Sequence, residues 1–145
     1  GIQSLDLVGR KLPHQTGKYL RGFFHLVDSF IEENKANEKL SDLNKPLNQA
    51  FKSLQQATLW IAQKGLSNKE EAITGSYDYL QLFSLVVMGY IWAKSALISH
   101  NAIEKGTSEQ EFYADKIKTA GFFMNKILPE HYSLLAKIAS GGKWL

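Results

Sequence analysis

An all-α fold, an up-and-down bundle of four to five long helices with a short leading helix, is what this sequence predicts, and three observations carry it. Apolar residues recur at offsets of three and four along almost the whole chain. Three prolines in 145 residues leave long stretches free to stay helical. No segment of useful length alternates apolar and polar residues with the period of two that a half-buried strand requires. Helices then cover one another's apolar stripes, and short connections favour antiparallel neighbours.

The leading helix falls in GIQSLDLVGRKL, where Asp6 and Arg10 stand at the i, i+4 spacing of a helical ion pair. Leu20, Phe23, Phe24, Val27, Phe30 and Ile31 mark the stripe of a helix from about Gly17 to Asn34, with Lys18, Arg21 and Glu32 on the other face. The polar stretch NKANEKLSDLNKP reads as a connection. Pro46 suits the first turn of the next helix, with Asn44 or Asp42 as cap. Leu47, Ala50, Phe51, Leu54, Ala57, Thr58 and Ile61 form that helix's stripe, which should stop near Gly65. Ser67 with Glu70 forms a capping box that restarts the chain as helix, and the TGS at 74–76 interrupts it.

From Tyr77 to about Ile103 runs the most apolar segment, hydrophobic on nearly every side between Leu82 and Ala93, as a central helix surrounded by others requires. Ser108 with Glu111 is a second capping box. Tyr113, Ile117, Ala120, Met124, Ile127 and Leu128 supply the next stripe. Pro129 ends that helix and begins another as its first residue, through Tyr132, Leu135 and Ile138 to Gly141 and Gly142.

Composition removes several classes of function. The length suits one domain, and 44% hydrophobic residues suffice for a core, which excludes disorder. A net charge of +3 is too small a surplus for an electrostatic grip on nucleic acid. Without cysteine there is no disulfide, thiolate metal site or thiol nucleophile. The uncharged run YLQLFSLVVMGYIWA has fifteen residues, short of the roughly 20 that cross a bilayer, so no membrane span is expected. A cytoplasmic location is expected. The opening on Gly1, with neither signal peptide nor tag, suggests a chain cut from something larger.

Reactive constellations are sparse. No Glu has a His three residues later, as a carboxylate-bridged metal pair needs, and His14, His25, His100 and His131 are never four apart, so no metal site is expected. No G-x-S-x-G elbow, Walker loop or G-x-G-x-x-G occurs. His25 with Asp28 could orient an imidazole, but a solvated pair is the simpler reading. Glu32 with Glu33 and Glu70 with Glu71 are neighbours, which on a helix diverge by about 100° rather than face one substrate. Asp78 suits the positive end of its helix. Phe122, Phe123, Tyr90 and Trp92 lie on or near apolar stripes and read as core rather than as a stacking surface for bases. From its residues alone the chain is a soluble helical bundle.

Three strings add a resemblance. GIQSLDLVGRKL resembles the segment following the catalytic glutamate loop of FAD-dependent acyl-CoA dehydrogenases, which commonly reads Y-E-G-T-N and continues G-I-Q. YDYLQLFSLVVMGYIWAKSA and EFYADKIKTAGFFMNKILPEHYSLLAKIASGG are similar to the extra helical C-terminal region of a long subgroup that includes the 3-methylmercaptopropionyl-CoA dehydrogenase type. The resemblance spans nearly the whole chain and is loosest between Asn34 and Asn68.

The resemblance implies that residues 1–34 end the dehydrogenase's C-terminal helical domain and that 35–145 form the additional helical region. It implies a parent enzyme that binds FAD, oxidises an acyl-CoA to the trans-2-enoyl-CoA, passes electrons to an acceptor and assembles as a homodimer or homotetramer. The catalytic Glu would lie just upstream of Gly1, so this chain alone holds no catalytic residue and is expected to be inactive and without cofactor. Gly1 alone carries over as a flavin contact; Gln3, Asp6 and Arg10 read better as helix. The partners implied are the rest of the parent enzyme and, for that parent, acyl-CoA. The alternative from another class is an independent helical module that binds a protein through an apolar groove.

Overall fold

The computed structural model describes residues 14–67 and 75–141, and among these it is all α-helical, with no strand. Helix α1 spans His14–Asn34, α2 Ser41–Ser67, α3 Ser76–Glu104, α4 Gln110–Phe122 and α5 Glu130–Ser140. A 3₁₀ turn, Glu38–Leu40, leads into α2, and a π-helical segment, Phe123–Ile127, continues α4.

The stripes read from the sequence set the directions. Thr58 meets Tyr79 and Leu47 meets Gly89, so α2 and α3 are antiparallel. Phe23 packs on Phe83 with ring centroids 5.0 Å apart and Phe30 on Tyr90 at 5.6 Å, so α1 and α3 run parallel. Ser53 bonds His131, and Trp60 shares a groove with Ile138 and Ala139, which sets α5 parallel to α2. Helix α4, the π segment and α5 thus form one broken descending leg, and the bundle has four legs in up-and-down order. The α2–α3 pair is central. Phe83 faces α1, and Leu85, two residues and about 200° further round the helix, shares a groove with Leu134 of α5. So α1 and the fourth leg lie on opposite flanks of α3.

Leu82, Val86, Ala93 and Ala96 of α3 are wholly buried with Leu47, Leu54, Leu128 and Ile138. At Gly89 a Cβ would lie 3.2 Å from Leu47 Cδ1 and 3.4 Å from Leu128 Cδ1, so the missing side chain is what admits α2 and the fourth leg together. Helix α3 ends in a Schellman motif: Thr107 N–H bonds Ala102 O at 3.2 Å, Gly106 N–H bonds Ile103 O at 3.0 Å, and Gly106 takes φ +80°.

Several expectations are corrected. The connection after Asn34 is short, because Leu40 and Leu43 within that polar stretch are buried and draw it into helix. Helix α2 therefore begins at Ser41, and Pro46 sits in its second turn rather than its first. Asn37, not Asn44 or Asp42, caps this region, its side chain accepting from Lys39 N–H at 3.1 Å. Helix α2 also runs past Gly65, to Ser67.

The Ser108–Glu111 box does not form. Thr107 Oγ1 accepts from Glu109 N–H at 3.2 Å, the Gln110 amide donates to Thr107 O, and α4 starts at Gln110. Pro129 caps α5 instead of being its first residue. The π turn, closed by Leu128 N–H on Phe123 O at 2.8 Å, adds a residue to the turn and shifts the phase of the leg. Ile127 and Tyr132 consequently face outward, and Phe123, Met124, Leu128, His131, Leu134 and Ile138 face inward.

Helix α3 is not covered on every side: Leu80, Met88, Ile91 and Ile98 are exposed. At 29 residues it is long and apolar enough to cross a membrane by length and composition, which the fifteen-residue run did not suggest, yet it packs among α1, α2 and the fourth leg as the core helix of a bundle does. The leading helix and the restart at Glu70 lie outside the described residues.

Val86→Asp should cost several kcal/mol, because a carboxylate would be buried without a partner. Gly89→Val should cost about 1–3 kcal/mol through overpacking against Leu47 and Leu128. Lys52→Ala, on the exposed face of α2, should stay within about 0.5 kcal/mol. Chemical denaturation of the three variants checks the order, and equal midpoints would displace the core from this seam.

Candidate functional site

The residues that composition and spacing singled out do not converge. His25 and Asp28 are exposed on α1, and neither meets a nucleophile. Glu32 pairs with Lys35 at 3.4 Å while Glu33 is solvated. Asp78 lies in the first turn of α3, as the dipole reading requires, and lines a groove of about 290 Å³ with Glu130 and Lys137. His100 stands near Lys39, and burial first, then that ammonium, lower its pKa. Lys39 itself reaches Glu104 at 3.2 Å. Phe123 and Tyr90 are buried and Trp92 packs on the core, whereas Phe122 is exposed. Gly1, Gln3, Asp6, Arg10, Glu70 and Glu71 lie outside the described residues. Among the described residues no three His, Asp or Glu side chains gather as metal ligands.

The polar contacts that the fold does build are interhelical bonds inside the core. Thr58 Oγ1 donates to Leu54 O at 2.7 Å, which leaves its lone pairs for the Tyr79 hydroxyl, also at 2.7 Å, so Tyr79 donates. Burial raises the Tyr79 pKa, with the Thr58 bond acting the other way, and the phenol stays a neutral donor. Ser53 Oγ and His131 Nδ1 lie 2.7 Å apart between α2 and α5. A serine beside an imidazole is the pairing of nucleophilic catalysis. Here His131 is 2% exposed and Ser53 4%, so no substrate carbonyl can reach the oxygen, and the pair acts as a clamp.

This clamp was missed in the sequence, although both halves left a signal. Ser53 occupies the stripe position between Ala50 and Ala57, and His131 stands at i−3, i−4 and i−7 from Leu134, Leu135 and Ile138. Two shallow grooves flank the clamp. One, of about 320 Å³, is lined by Trp60, Tyr132, Leu135 and Ile138 among others; one of about 160 Å³ lies by Pro46, Met124 and Pro129.

Burial lowers the His131 pKa below its ordinary 6.5. The unfolded chain then binds the proton more readily, so this contribution to stability is complete above about pH 6.5 and is lost as pH falls through the folded pKa. His100 acts in the same direction. The melting temperature should therefore fall on acidification from about pH 7 to 5, and His131→Leu should flatten that slope; an unchanged slope in the variant would separate His131 from acid sensitivity. Ser53→Ala should cost about 1–3 kcal/mol by leaving the imidazole nitrogen unpaired.

The chain is similar to one family model: acetyl-CoA dehydrogenase C-terminal like, matched over residues 23–145. That span covers the bundle from the middle of α1 onward, and the chain belongs to this family of acyl-CoA dehydrogenase C-terminal domains. No curated protein matches it.

Proposed function

We propose that the chain is the helical C-terminal part of a flavin-dependent acyl-CoA dehydrogenase, with the role of buttress rather than catalyst. The family match over residues 23–145 is the observation that carries this reading. The opening GIQSLDLVGRKL supports it, since a dehydrogenase of this kind places its general base on the loop before such a segment. Bound FAD would supply the hydride acceptor for the β-carbon of an acyl-CoA, while that loop carboxylate takes the α-proton to leave the trans-2-enoyl thioester.

The described residues do not fit the flavin themselves. A dinucleotide needs cations or clustered amides for its pyrophosphate, but the two grooves beside the clamp have no Lys or Arg in their linings. In the groove at Asp78 the lysine shares its surroundings with two carboxylates. Gly1, the flavin contact of the reading, belongs to the segment before the bundle. Residues 1–34 would end the catalytic helical domain and 35–145 would form the additional region, in a cytoplasmic, homodimeric or homotetrameric enzyme of the long subgroup resembling the 3-methylmercaptopropionyl-CoA dehydrogenase type.

The test separates fragment from parent. The purified 145-residue chain should be colourless and should neither bind FAD nor reduce a dye with acyl-CoA. A full-length parent should be yellow and active, and changing its loop glutamate to glutamine should abolish turnover with flavin retained, because an amide cannot accept the α-proton. A full-length protein without flavin would overturn the reading, and tight capture of an unrelated protein partner by the fragment would favour the independent interaction module.

A further inference from the structure

We propose that the outward face of α3 is a self-complementary seam through which two copies of this chain pair with their α3 helices antiparallel. This stands on the side chains of that face and does not rest on the family reading. Leu80, Ser84, Met88, Ile91, Ser95 and Ile98 follow one another in steps of four, four, three, four and three, the spacing of a helix–helix seam. Leu80, Met88, Ile91 and Ile98 are 43–63% exposed. No charged side chain belongs to this run, and the nearby Lys94 is turned onto the Tyr90 ring, its nitrogen 5.7 Å from the centroid.

The neighbouring helix widens the face. Exposed Tyr19 and Leu26 of α1 stand one turn before Phe23 and Phe30, the two rings that hold α1 on α3, so they continue the apolar surface sideways. Monomeric domains seldom leave so extended an apolar patch uncovered.

A second copy is the occupant this pattern fits. Read in reverse about its midpoint the run superimposes on itself to within one residue, so that Met88 falls opposite Ile91, Ser84 opposite Ser95 and Leu80 opposite Ile98. A twofold axis there pairs large with large and small with small, as an isologous interface demands. The two serine pairs let the helix backbones close up on either side of the central Met–Ile contacts. Antiparallel pairing sets each helix's positive end beside the other's negative end, and it brings no like charges together along the seam, which matters for a chain of net charge +3. A stable interface takes about 800 Å² from each partner. The stretch from Leu80 to Ile98 is roughly 27 Å long, and with α1 beside it the face is about 20 Å wide, which is that scale.

The chain has no cysteine, so each introduced thiol is unique. Sedimentation of the wild-type chain should give twice the 16.3 kDa monomer mass. Oxidising a mixture of Ser84→Cys and Ser95→Cys chains should yield mostly the mixed disulfide, and each variant alone several-fold less. The Met88→Lys/Ile91→Lys double variant should sediment as a monomer with unchanged helicity by circular dichroism. A wild-type monomer at every concentration, self-crosslinking of Ser84→Cys in preference to the mixed product, or a dimer that survives the double lysine variant would each overturn the seam. A wild-type monomer that instead floats with phosphatidylcholine vesicles would assign the face to lipid and likewise refute the pairing.

Discussion

The close approach at Gly89 is the constraint on which the rest of the bundle depends. Leu47 from α2 and Leu128 from the fourth leg both reach the space where a side chain would begin. Because both legs enter there, Leu82, Val86, Ala93 and Ala96 can be sealed from water by neighbours on several sides. The aromatic wedge of Phe23, Phe24 and Phe30 then needs only to close the remaining flank, with Phe24 edge-on to Phe51 at 5.5 Å. Hydrogen bonds inside the core are few, and they lie where helices must keep a fixed register, Thr58 with Tyr79 and Ser53 with His131. Burial makes such bonds costly to break, so they act as pegs in a seam whose adhesion is apolar.

This division of labour fits the role of a supporting domain. The chemically suggestive pair, serine with histidine, is spent on joining α2 to α5 and is sealed from solvent. The surface carboxylates are dispersed along helices or paired locally with lysines. A module built in this way contributes shape, rigidity and contact surface to the acyl-CoA dehydrogenase family to which it belongs, and the proton abstraction of such enzymes would be the work of residues before the bundle.

Much of the architecture was legible from spacing. The stripes through Leu20–Ile31 and Leu47–Ile61 bury nearly as read, because each alternative phase would have put phenylalanine or leucine into water. Three features were hidden, each for a physical reason. Leu40 and Leu43 are two apolar residues in a charged stretch, and only the surrounding core reveals that they outweigh the proline after them. The π turn depends on how Phe123 and Leu128 compete for the interior, which no periodic template contains. The bare side of α3 was unreadable since an apolar residue beside a core and one facing outward look alike in sequence. As for the candidate site, spacing could find Ser53 and His131 separately, but their meeting spans 78 positions and belongs to the fold alone.

The π segment also makes the fourth leg a record of chain length. An α-helix closes each turn with a bond four residues back, and the Leu128 to Phe123 bond skips one more, so the leg stores a single surplus residue as a bulge without lengthening its path. Removing one residue between Phe123 and Ile127 would let the turn close as ordinary α-helix and rotate everything after it by about 100°. Tyr132 and His131 would then exchange roles at the surface of α2, and the clamp would have no imidazole to hold. Length polymorphism in this short stretch is therefore constrained by rotation rather than by space: among relatives with the same bundle, a loss here should be accompanied by a compensating gain before Pro129 or by a new partner for Ser53.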